Sequence, residues 1–438
     1  MSLDCGDTFR GGVFSAWEVN SLDSRDLHQR MEEAKKLAMS LCDAAYALHD
    51  QPLDKDTFKK EMFLAKTNAD DAIERLQTFY PHNPSAKLRA ILEYLKGKAA
   101  ACAPTGKAST KAEKHFSESI KLDPMLVGSW NALGECYWQR GNLEGARGCF
   151  MGAISHSTNA ESLCLLSMLL RAIAAHDLQN ASSLVLQSVD LAKEAVRLDP
   201  TSRRPWASLG NAHLSVYAHI NADASELTSA HKSFSQAARS MDSLSGAPMA
   251  DLHMNHGLCS LLLDDIELAL KHYGCAQDLD PTLGSEHHRQ KVWQYAQSVA
   301  ELVGAGATAK IGRKRLDALV AELPNDSPGI AQLQIGENTG LTLFLKVVSA
   351  IPVLPSICHQ SVAVADRNGR TAALVIYRQR GVSPPSPGTI LEITAPNLIR
   401  VQATDWRVSD DGSQDSVSYD SIRIDHPNQV RLVKSRRR

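Results

Sequence analysis

The chain has 438 residues, 47 of them basic and 49 acidic, so its formal net charge at pH 7 is −2. This balance excludes a whole-chain electrostatic attraction to nucleic acid or to an anionic membrane, and any such partner would need a local patch. No stretch approaches the roughly 18 to 20 apolar residues of a membrane-spanning helix, and the nine cysteines lack paired spacing. We therefore predict a soluble intracellular protein of two or three domains, without a membrane partner.

The first quarter of the chain is predicted to be helical after a flexible leader at residues 1–24. Apolar residues return at helical spacing from Asp26 onward. Four helices are predicted there, over 26–49, 56–79, 86–103 and 111–122. Asp123-Pro124 ends the fourth helix, because proline cannot continue a helix.

A tetratricopeptide pattern follows the fourth helix. Its residues occur in the order Trp130, Leu133, Gly134 and Tyr137, then Ala146, Phe150 and Ala153. The first four form one stripe on a first helix, where Gly134 leaves room for the second helix to cross closely. Phe150 is the large residue that fills this crossing. One such hairpin cannot bury its own stripe, so the pattern predicts neighbouring repeats.

Those repeats are marked by the phrase Leu-Asp-Pro, which ends at Pro124, Pro200 and Pro281. Trp130 and Trp206 each follow such a proline by six residues, so two repeats begin in the same frame. A repeat between them carries roughly nine extra residues, and the repeat begun at Trp206 carries an insert near residues 221–226. With a capping helix over 287–303, five or six helical pairs are predicted to form a right-handed solenoid with a concave face.

The last third of the chain is predicted to be a β domain. Strand patterns run over 341–348, 357–365, 371–377, 389–394, 398–404 and 416–424, with an Asn368-Gly369 hairpin turn. The fold class is therefore mainly α, a tetratricopeptide-repeat solenoid followed by a small C-terminal β-barrel such as an OB-fold, with a β-sandwich as the alternative. The predicted domains are a leader (1–24), a solenoid (25–303), a basic linker (304–330) and an OB-fold-like β domain (331–438).

The concave face supplies candidate peptide-binding residues. Counting positions 2, 5, 9 and 12 of each first helix places Asn131, Arg171, Asn211 and Asp251 on that face. Asparagine suits a peptide backbone because its amide donates and accepts hydrogen bonds. Arg171 and Asp251 bring opposite charges, which fits a ligand that carries both signs. The alternative is that each is simply a polar residue on an open surface.

A chaperone-tail clamp is a rival for this groove. Asn211, Asn255 and Arg289 fall in its frame, but Ala207 and Ser285 replace the two lysines that would bind a terminal carboxylate. No phosphate-binding loop, nucleophile elbow or metal-ligand spacing occurs. We therefore predict a protein that is not an enzyme and needs no cofactor or metal.

Two features suggest nucleic acid as a partner. The basic residues are Lys310, Arg313, Lys314 and Arg315, which form either a solvated helix start or an exposed patch for a phosphate backbone. The candidate stacking residues in the β domain are Phe344, Tyr377, Trp406 and Tyr419. Trp406 fits a core position equally well.

Several runs of sequence resemble the tetratricopeptide repeat protein 5 family, also called Strap. They are residues 112–124, 130–138, 166–171, 209–211 and 251–255, and the similarity extends over most of residues 86–300. The resemblance implies six repeats joined to a C-terminal OB-fold. It also implies peptide contacts at Arg171 and Asp251, and it places an acidic contact at Glu286, beside Ser285, which occupies the expected position.

The resemblance implies two kinds of function. In the cytoplasm, such proteins bind the N-terminus of nascent tubulin at the ribosome and recruit an effector of tubulin mRNA decay. In the nucleus, they are stress-responsive scaffolds for transcriptional coactivators. We therefore expect a cytoplasmic and nuclear adaptor whose groove binds nascent tubulin and whose segment Lys310 to Arg315 contacts the ribosome, with a coactivator scaffold that touches DNA as the alternative.

Overall fold

The computed structural model of the chain describes residues 24–47, 55–80, 84–101, 110–177, 179–240, 250–304, 307, 311–352, 354, 359–378, 382–407 and 413–433. Contacts divide the chain into two compact units, residues 1–169 and residues 170–438. No helix within these described ranges combines the length and the apolar character that crossing a membrane needs. The predicted leader lies outside them except for Ser24, which begins the first helix.

The first unit consists of helical hairpins. Its helices are α1 (Ser24–Ala47), α2 (Lys55–Thr78), α3 (Ala86–Ala101), α4 (Thr110–Leu122), α5 (Val127–Gln139), α6 (Leu143–His156) and most of α7 (Ala160–Ala174). Helix α1 packs on α2, α3 on α4 and α5 on α6. The four helices predicted before the tetratricopeptide motif are confirmed, with each end within two residues of its predicted position.

The motif residues hold the α5–α6 hairpin closed. A Cβ atom added at Gly134 would lie 2.5 Å from Cε1 of Phe150, so this position has no room for a side chain. The indole N–H of Trp130 donates to the carbonyl oxygen of Pro124 over 2.9 Å. Asn142 caps α6 by accepting from the N–H of Gly145. The predicted roles of Gly134 and Phe150 are therefore confirmed.

The second unit contains the end of α7 and the other α-helices of the described residues. They are α8 (Ala181–Leu198), α9 (Arg203–Val216), α10 (Ala224–Arg239), α11 (Ala250–Leu262), α12 (Ile266–Leu279), α13 (Ser285–Leu302) and α14 (Arg313–Val320). The same frame returns here, since Trp206 Nε1 donates to the carbonyl oxygen of Pro200 over 2.8 Å. The extra residues predicted before Pro200 are shared between the helices and the loop of this repeat. Helices α7 and α8 have 15 and 18 residues whereas α5 and α6 have 13 and 14, and the loop between α7 and α8 is also longer.

The insert after α9 contacts the β domain. It forms a π-helical turn, Tyr217–Asn221, followed by Ala222 in a left-handed conformation (φ 49°). Tyr217 Oη lies 3.1 Å from Nδ1 of His359. The backbone N–H of Arg378 donates to the carbonyl oxygen of Ala222 over 3.0 Å, and the Arg378 guanidinium pairs with Asp223. The insert therefore serves as a docking element for the sheet.

The β domain is one sheet of eight strands among its described residues. The strands are β1 (Gly336–Glu337), β2 (Thr342–Ala350), β3 (Gln360–Ala365), β4 (Thr371–Ile376), β5 (Ile390–Thr394), β6 (Asn397–Thr404), β7 (Ser416–Ile424) and β8 (Val430–Val433). Their order is β1-β6-β7-β4-β3-β2-β5-β8, with β4 and β7 parallel and the other pairs antiparallel. The six predicted strands are confirmed. No pairing among the described residues joins β1 to β8, so closure into a barrel or an OB-fold stays a prediction.

One face of the sheet shares a core with α11, α12 and α13. Sheet residues in this core include Tyr377, Val401, Ala403 and Tyr419. Tyr377 is fully buried and donates from Oη to the carbonyl oxygen of Leu262 over 2.6 Å. Burial also raises the pKa of the Tyr377 phenol well above its ordinary value. Helices and sheet of the second unit are therefore packed together rather than joined only by a linker.

Candidate functional site

Two asparagines of the predicted groove contact each other. Nδ2 of Asn255 in α11 donates to Oδ1 of Asn211 in α9 over 3.0 Å, and both side chains are half-buried. Within the described part of the chain, no hydrogen bond uses Nδ2 of Asn211 or Oδ1 of Asn255. The pair therefore offers one donor and one acceptor, which is the complement that a peptide group requires.

Both charged groove residues lie on first helices and within the second unit, which includes the end of α7 from Leu170 onward. Asp251 is exposed in the first turn of α11, four residues before Asn255, so the two side chains share a helix face. Arg171 is half-buried in the last turn of α7. An exposed carboxylate beside the asparagine pair suits a ligand with a basic group next to a backbone amide.

Asn131 occupies a different environment in the first unit. It is 4% exposed, and its Oδ1 accepts from Oγ of Ser162 over 2.8 Å. Its Nδ2 has no hydrogen-bond partner among the described residues. The amide thus joins α5 to α7. Register counting had instead placed it on the open concave face. Its contact with a peptide stays a prediction.

Glu286 lies in the first turn of α13. Its backbone N–H donates to Oε1 of Gln277 over 3.1 Å, and its side chain accepts from Nε2 of Gln290 over 3.1 Å. Ser285 beside it is buried, as is Ala207 in α9. Neither position of the rival clamp therefore holds a cation, and neither side chain is placed to bind a terminal carboxylate.

The basic segment is docked on the sheet. Leu316 and Val320 of α14 are buried, and Arg367 Nη1 donates to the carbonyl oxygens of Val320 and Leu323 over 3.3 and 2.8 Å. The exposed side chains of the segment are Arg313, Lys314 and Arg315. Lys310 lies outside the described residues. The first turn of α14 therefore presents three cations to solvent, one of which, Arg313, pairs with Asp317 over 3.1 Å. This agrees with the predicted solvated helix start, and a contact with a phosphate backbone stays a prediction.

Three of the four candidate stacking residues of the β domain are occupied by other contacts, and the fourth, Phe344, is half-buried. Tyr377 and Tyr419 are buried in the core shared with the helices. The guanidinium carbons of Arg289 and Arg407 lie 4.2 and 5.1 Å from the centre of the Trp406 ring. The prediction that these three rings offer a stacking platform is therefore wrong, because helix packing and cation–π contacts occupy them.

A histidine array, unnoticed in the sequence, lies among α10, α11 and α12. Nδ1 of His253 lies 3.0 Å from Nδ1 of His272, and Nε2 of His256 lies 3.1 Å from Nδ1 of His231. The rings of His256 and His272 stack with centres 3.9 Å apart. The sequence does hold a sign of this array, because four of its 16 histidines fall within residues 231–272.

The surroundings of the array favour the neutral form of its histidine rings. Burial, and then the neighbouring histidines, lower the pKa of His256 to about 3. The pKa of His272 is lowered to about 4 by burial and then by His253, Lys271 and His231. Among the described residues, no group of three or more histidine, cysteine, aspartate or glutamate side chains is placed to hold a metal ion. The ring-nitrogen contacts and the stacked rings make the four histidines one packed cluster.

Comparisons with known proteins identify relatives by sequence. No family model matches the chain. The chain is 27% identical over 425 residues to tetratricopeptide repeat protein 5 of Mus musculus, which covers 90% of this chain and 92% of the relative. It is 28% identical over 370 residues to the Homo sapiens protein of the same name, which covers 78% of this chain and 81% of that relative.

Two solved structures match parts of the chain at low similarity. One is a thermophilic TPR protein of Thermus thermophilus, with a TM-score of 0.35, 17% identity, and coverage of 42% of this chain and 90% of the other. Another is YrrB, a TPR protein with an unusual peptide-binding site, with a TM-score of 0.29, 17% identity, and coverage of 41% and 82%. The similarity over most of both chains confirms the resemblance of this chain to tetratricopeptide repeat protein 5.

Proposed function

We propose that the chain is a non-enzymatic adaptor that binds the N-terminus of nascent tubulin at the ribosome and thereby triggers tubulin mRNA decay. The helical hairpins and the similarity to tetratricopeptide repeat protein 5 support the broader role, a protein-interaction adaptor. The asparagine pair of α9 and α11 supports peptide binding most directly, because the donor and acceptor that no described residue uses match one peptide group. This role would place the chain in the cytoplasm.

The charges beside the pair support a ligand of mixed sign. In the proposed complex, Asp251 pairs with a basic residue of the peptide and Arg171 with an acidic one, as the mixture of arginine and glutamate at a tubulin N-terminus allows. The amides of Asn211 and Asn255 bind the intervening backbone. Glu286 supplies a second negative charge at the start of α13, and the cations of α14 contact ribosomal phosphates.

Binding of a fluorescent tubulin N-terminal peptide to the full chain tests this proposal. We expect micromolar binding by the wild type and at least tenfold weaker binding by Asp251→Arg. Loss of one hydrogen bond is worth about 0.5 to 1.5 kcal/mol, so Asn255→Ala should weaken binding by about two- to tenfold.

Gln294→Ala, an exposed position on α13, is the matched control and should bind as the wild type does. A scrambled peptide of the same composition controls for charge alone. Equal binding of the two peptides, or full binding by Asp251→Arg, would exclude this groove as the site.

A further inference from the structure

The edge of β6 that faces away from β7 lies in a cleft of about 670 Å³. The opposite wall is formed by α10, by the end of α11 and by the first turn of α12. Residues from both walls include His231, Ser260, Asp265, Glu267, Arg400 and Gln402. A volume in this range accommodates a small ligand or a short extended peptide.

The N–H and C=O groups of one strand residue point to the same side of the strand, and those of the next residue point to the opposite side. The direction of one N–H therefore fixes the direction of every second residue. The N–H of Thr404 donates to Oε2 of Glu267 over 3.0 Å and therefore points away from β7. At the other end, Leu398 pairs with Gly336 of β1, on that same side. The β6–β7 register is continuous between these points. The N–H and C=O groups of Arg400 and Gln402 consequently point into the cleft.

The unpaired edge of β6 is limited at one end by strand β1 and at the other by the Glu267 side chain. Strand β1 covers only Asn397 and Leu398, and Glu267 occupies the N–H of Thr404. Between these limits, no strand pairs with the cleft side of β6 in the described part of the chain. The edge therefore offers two donors and two acceptors in strand geometry, which is what an added strand needs.

The acidic end of the cleft defines the chemistry of the added strand. Asp265 and Glu267 are both exposed, and the described residues give each carboxylate one hydrogen-bonded oxygen, bound by the N–H of Leu268 and of Thr404 respectively. The second oxygen of each remains available for a cation. A lysine or arginine on the incoming segment would bind there.

We propose that an extended segment of a partner protein, with a basic side chain directed at Asp265 and Glu267, adds to β6 as an extra strand in this cleft. The helices on the opposite wall shelter the edge, which favours a single strand over a second sheet and over another copy of this chain. This cleft is a second site, separate from the peptide groove of α9 and α11. One adaptor would therefore hold two ligands.

The test uses a fluorescein-labelled, acetylated heptapeptide amide, Val-Lys-Val-Thr-Val-Thr-Val, with the full chain and anisotropy as the readout. The same peptide with glutamate in place of lysine should bind at least fivefold more weakly. A version that is N-methylated at alternate residues cannot form the ladder and should not bind. Equal binding of the N-methylated peptide would overturn the proposal, as would no binding of the lysine peptide.

Two variants of one residue separate the backbone from the side chain. Gln402→Pro removes the N–H that faces the cleft and keeps the bonds to β7, since edge strands tolerate proline. It should weaken binding at least tenfold, whereas Gln402→Ala should bind as the wild type does. Circular dichroism checks that both variants are folded. Unchanged binding by folded Gln402→Pro would exclude strand addition.

Three further measurements identify the ligand of the cleft and test whether the cleft and the groove bind independently. Asp265→Asn with Glu267→Gln should abolish the preference for lysine over glutamate, and a preserved preference would contradict the assigned contact. Asp251→Arg should leave heptapeptide binding unchanged, so failure of the groove and failure of this cleft are distinguishable. A wild-type dimer that becomes a monomer in Gln402→Pro, measured by light scattering, would instead assign the edge to a second copy of this chain.

Discussion

A glycine that faces an aromatic ring recurs where the two helices of a hairpin cross. The pairs at which an added Cβ would lie 2.5 Å from a ring carbon are Gly97 with Phe116, Gly134 with Phe150, and Gly210 with Phe234. Such a distance lies well inside van der Waals contact, so the ring or the helix must move to admit a methyl group. The tight crossing of these hairpins therefore depends on one missing side chain per hairpin.

Gly134→Ala should destabilise the chain despite the better helix propensity of alanine. We expect the free energy of unfolding to fall by about 1 to 3 kcal/mol because the methyl group overpacks the Phe150 ring. The control is Gly148→Ala in the same hairpin, where an added Cβ would meet no atom of the described residues within 4 Å. That variant should gain up to about 1 kcal/mol. Urea unfolding of both variants measures the difference, and equal shifts would contradict the packing role of Gly134.

Two buried tyrosines in the core between helices and sheet differ in one hydrogen bond. Tyr377→Phe removes the bond to the carbonyl oxygen of Leu262 and leaves that oxygen buried. We expect a loss of about 1 to 3 kcal/mol in the free energy of unfolding. Tyr419→Phe removes a hydroxyl that has no partner among the described residues, so its effect should be near zero. Thermal unfolding of both variants decides, and a larger loss for Tyr419→Phe would refute this assignment.

The helices α10, α11 and α12 together carry the histidine array, which makes their packing sensitive to acid. Burial lowers the pKa of His256 to about 3 and of His272 to about 4, below the value of 6.5 for an exposed ring. The unfolded chain therefore binds more protons below pH 6.5. The stability that the neutral rings contribute is fully present above pH 6.5 and is lost as the pH falls toward the folded values.

Unfolding measured between pH 7.5 and pH 4.5 tests this expectation. Below pH 6.5, each of the two buried rings should cost about 1.4 kcal/mol of stability per pH unit. His256→Phe retains a ring at the stacking position and removes one titrating group, so its pH profile should be flatter. Gln294→Ala, at an exposed position, should leave the profile unchanged. A flat wild-type profile would show that the array does not resist protonation.

The elements themselves were largely predictable from the sequence, because their signals are local. The spacing of Trp130, Gly134 and Phe150 fixes a hairpin within about 20 residues, and alternation marks each strand. The docking of the insert was not predictable, since Tyr217 meets His359 over a separation of 142 residues. The burial of Asn131 was missed for a related reason. Register counting places a residue on a helix face but does not reveal which neighbouring side chain, here Ser162, covers it.

At the scale of the whole molecule, the proposed function assigns peptide binding to the groove of α9 and α11 and ribosome binding to α14. Reversal of the charges at Arg313, Lys314 and Arg315 to glutamate should reduce co-sedimentation with ribosomes at least tenfold. The wild-type interaction should itself weaken steeply with salt, as phosphate contacts do. Peptide binding in the groove should remain unchanged, whereas Asp251→Arg should show the opposite pattern.

A matched triple reversal controls for the change in net charge. Lys111, Lys114 and Lys121 are three exposed cations on α4, and their reversal to glutamate should leave ribosome binding intact. Equal losses in both triple variants would mean that net charge, and not the docked helix α14, carries the interaction.

The core that helices α11 to α13 share with the sheet has a consequence for deletion mapping. A fragment that ends near residue 303 would expose the faces that Tyr377, Val401 and Tyr419 now cover. Such a fragment would tend to aggregate or to bind chaperones, and lost activity would report misfolding instead of a missing binding site. Point substitutions at exposed residues, in the intact chain, are therefore the sound way to assign partners to each part of this protein.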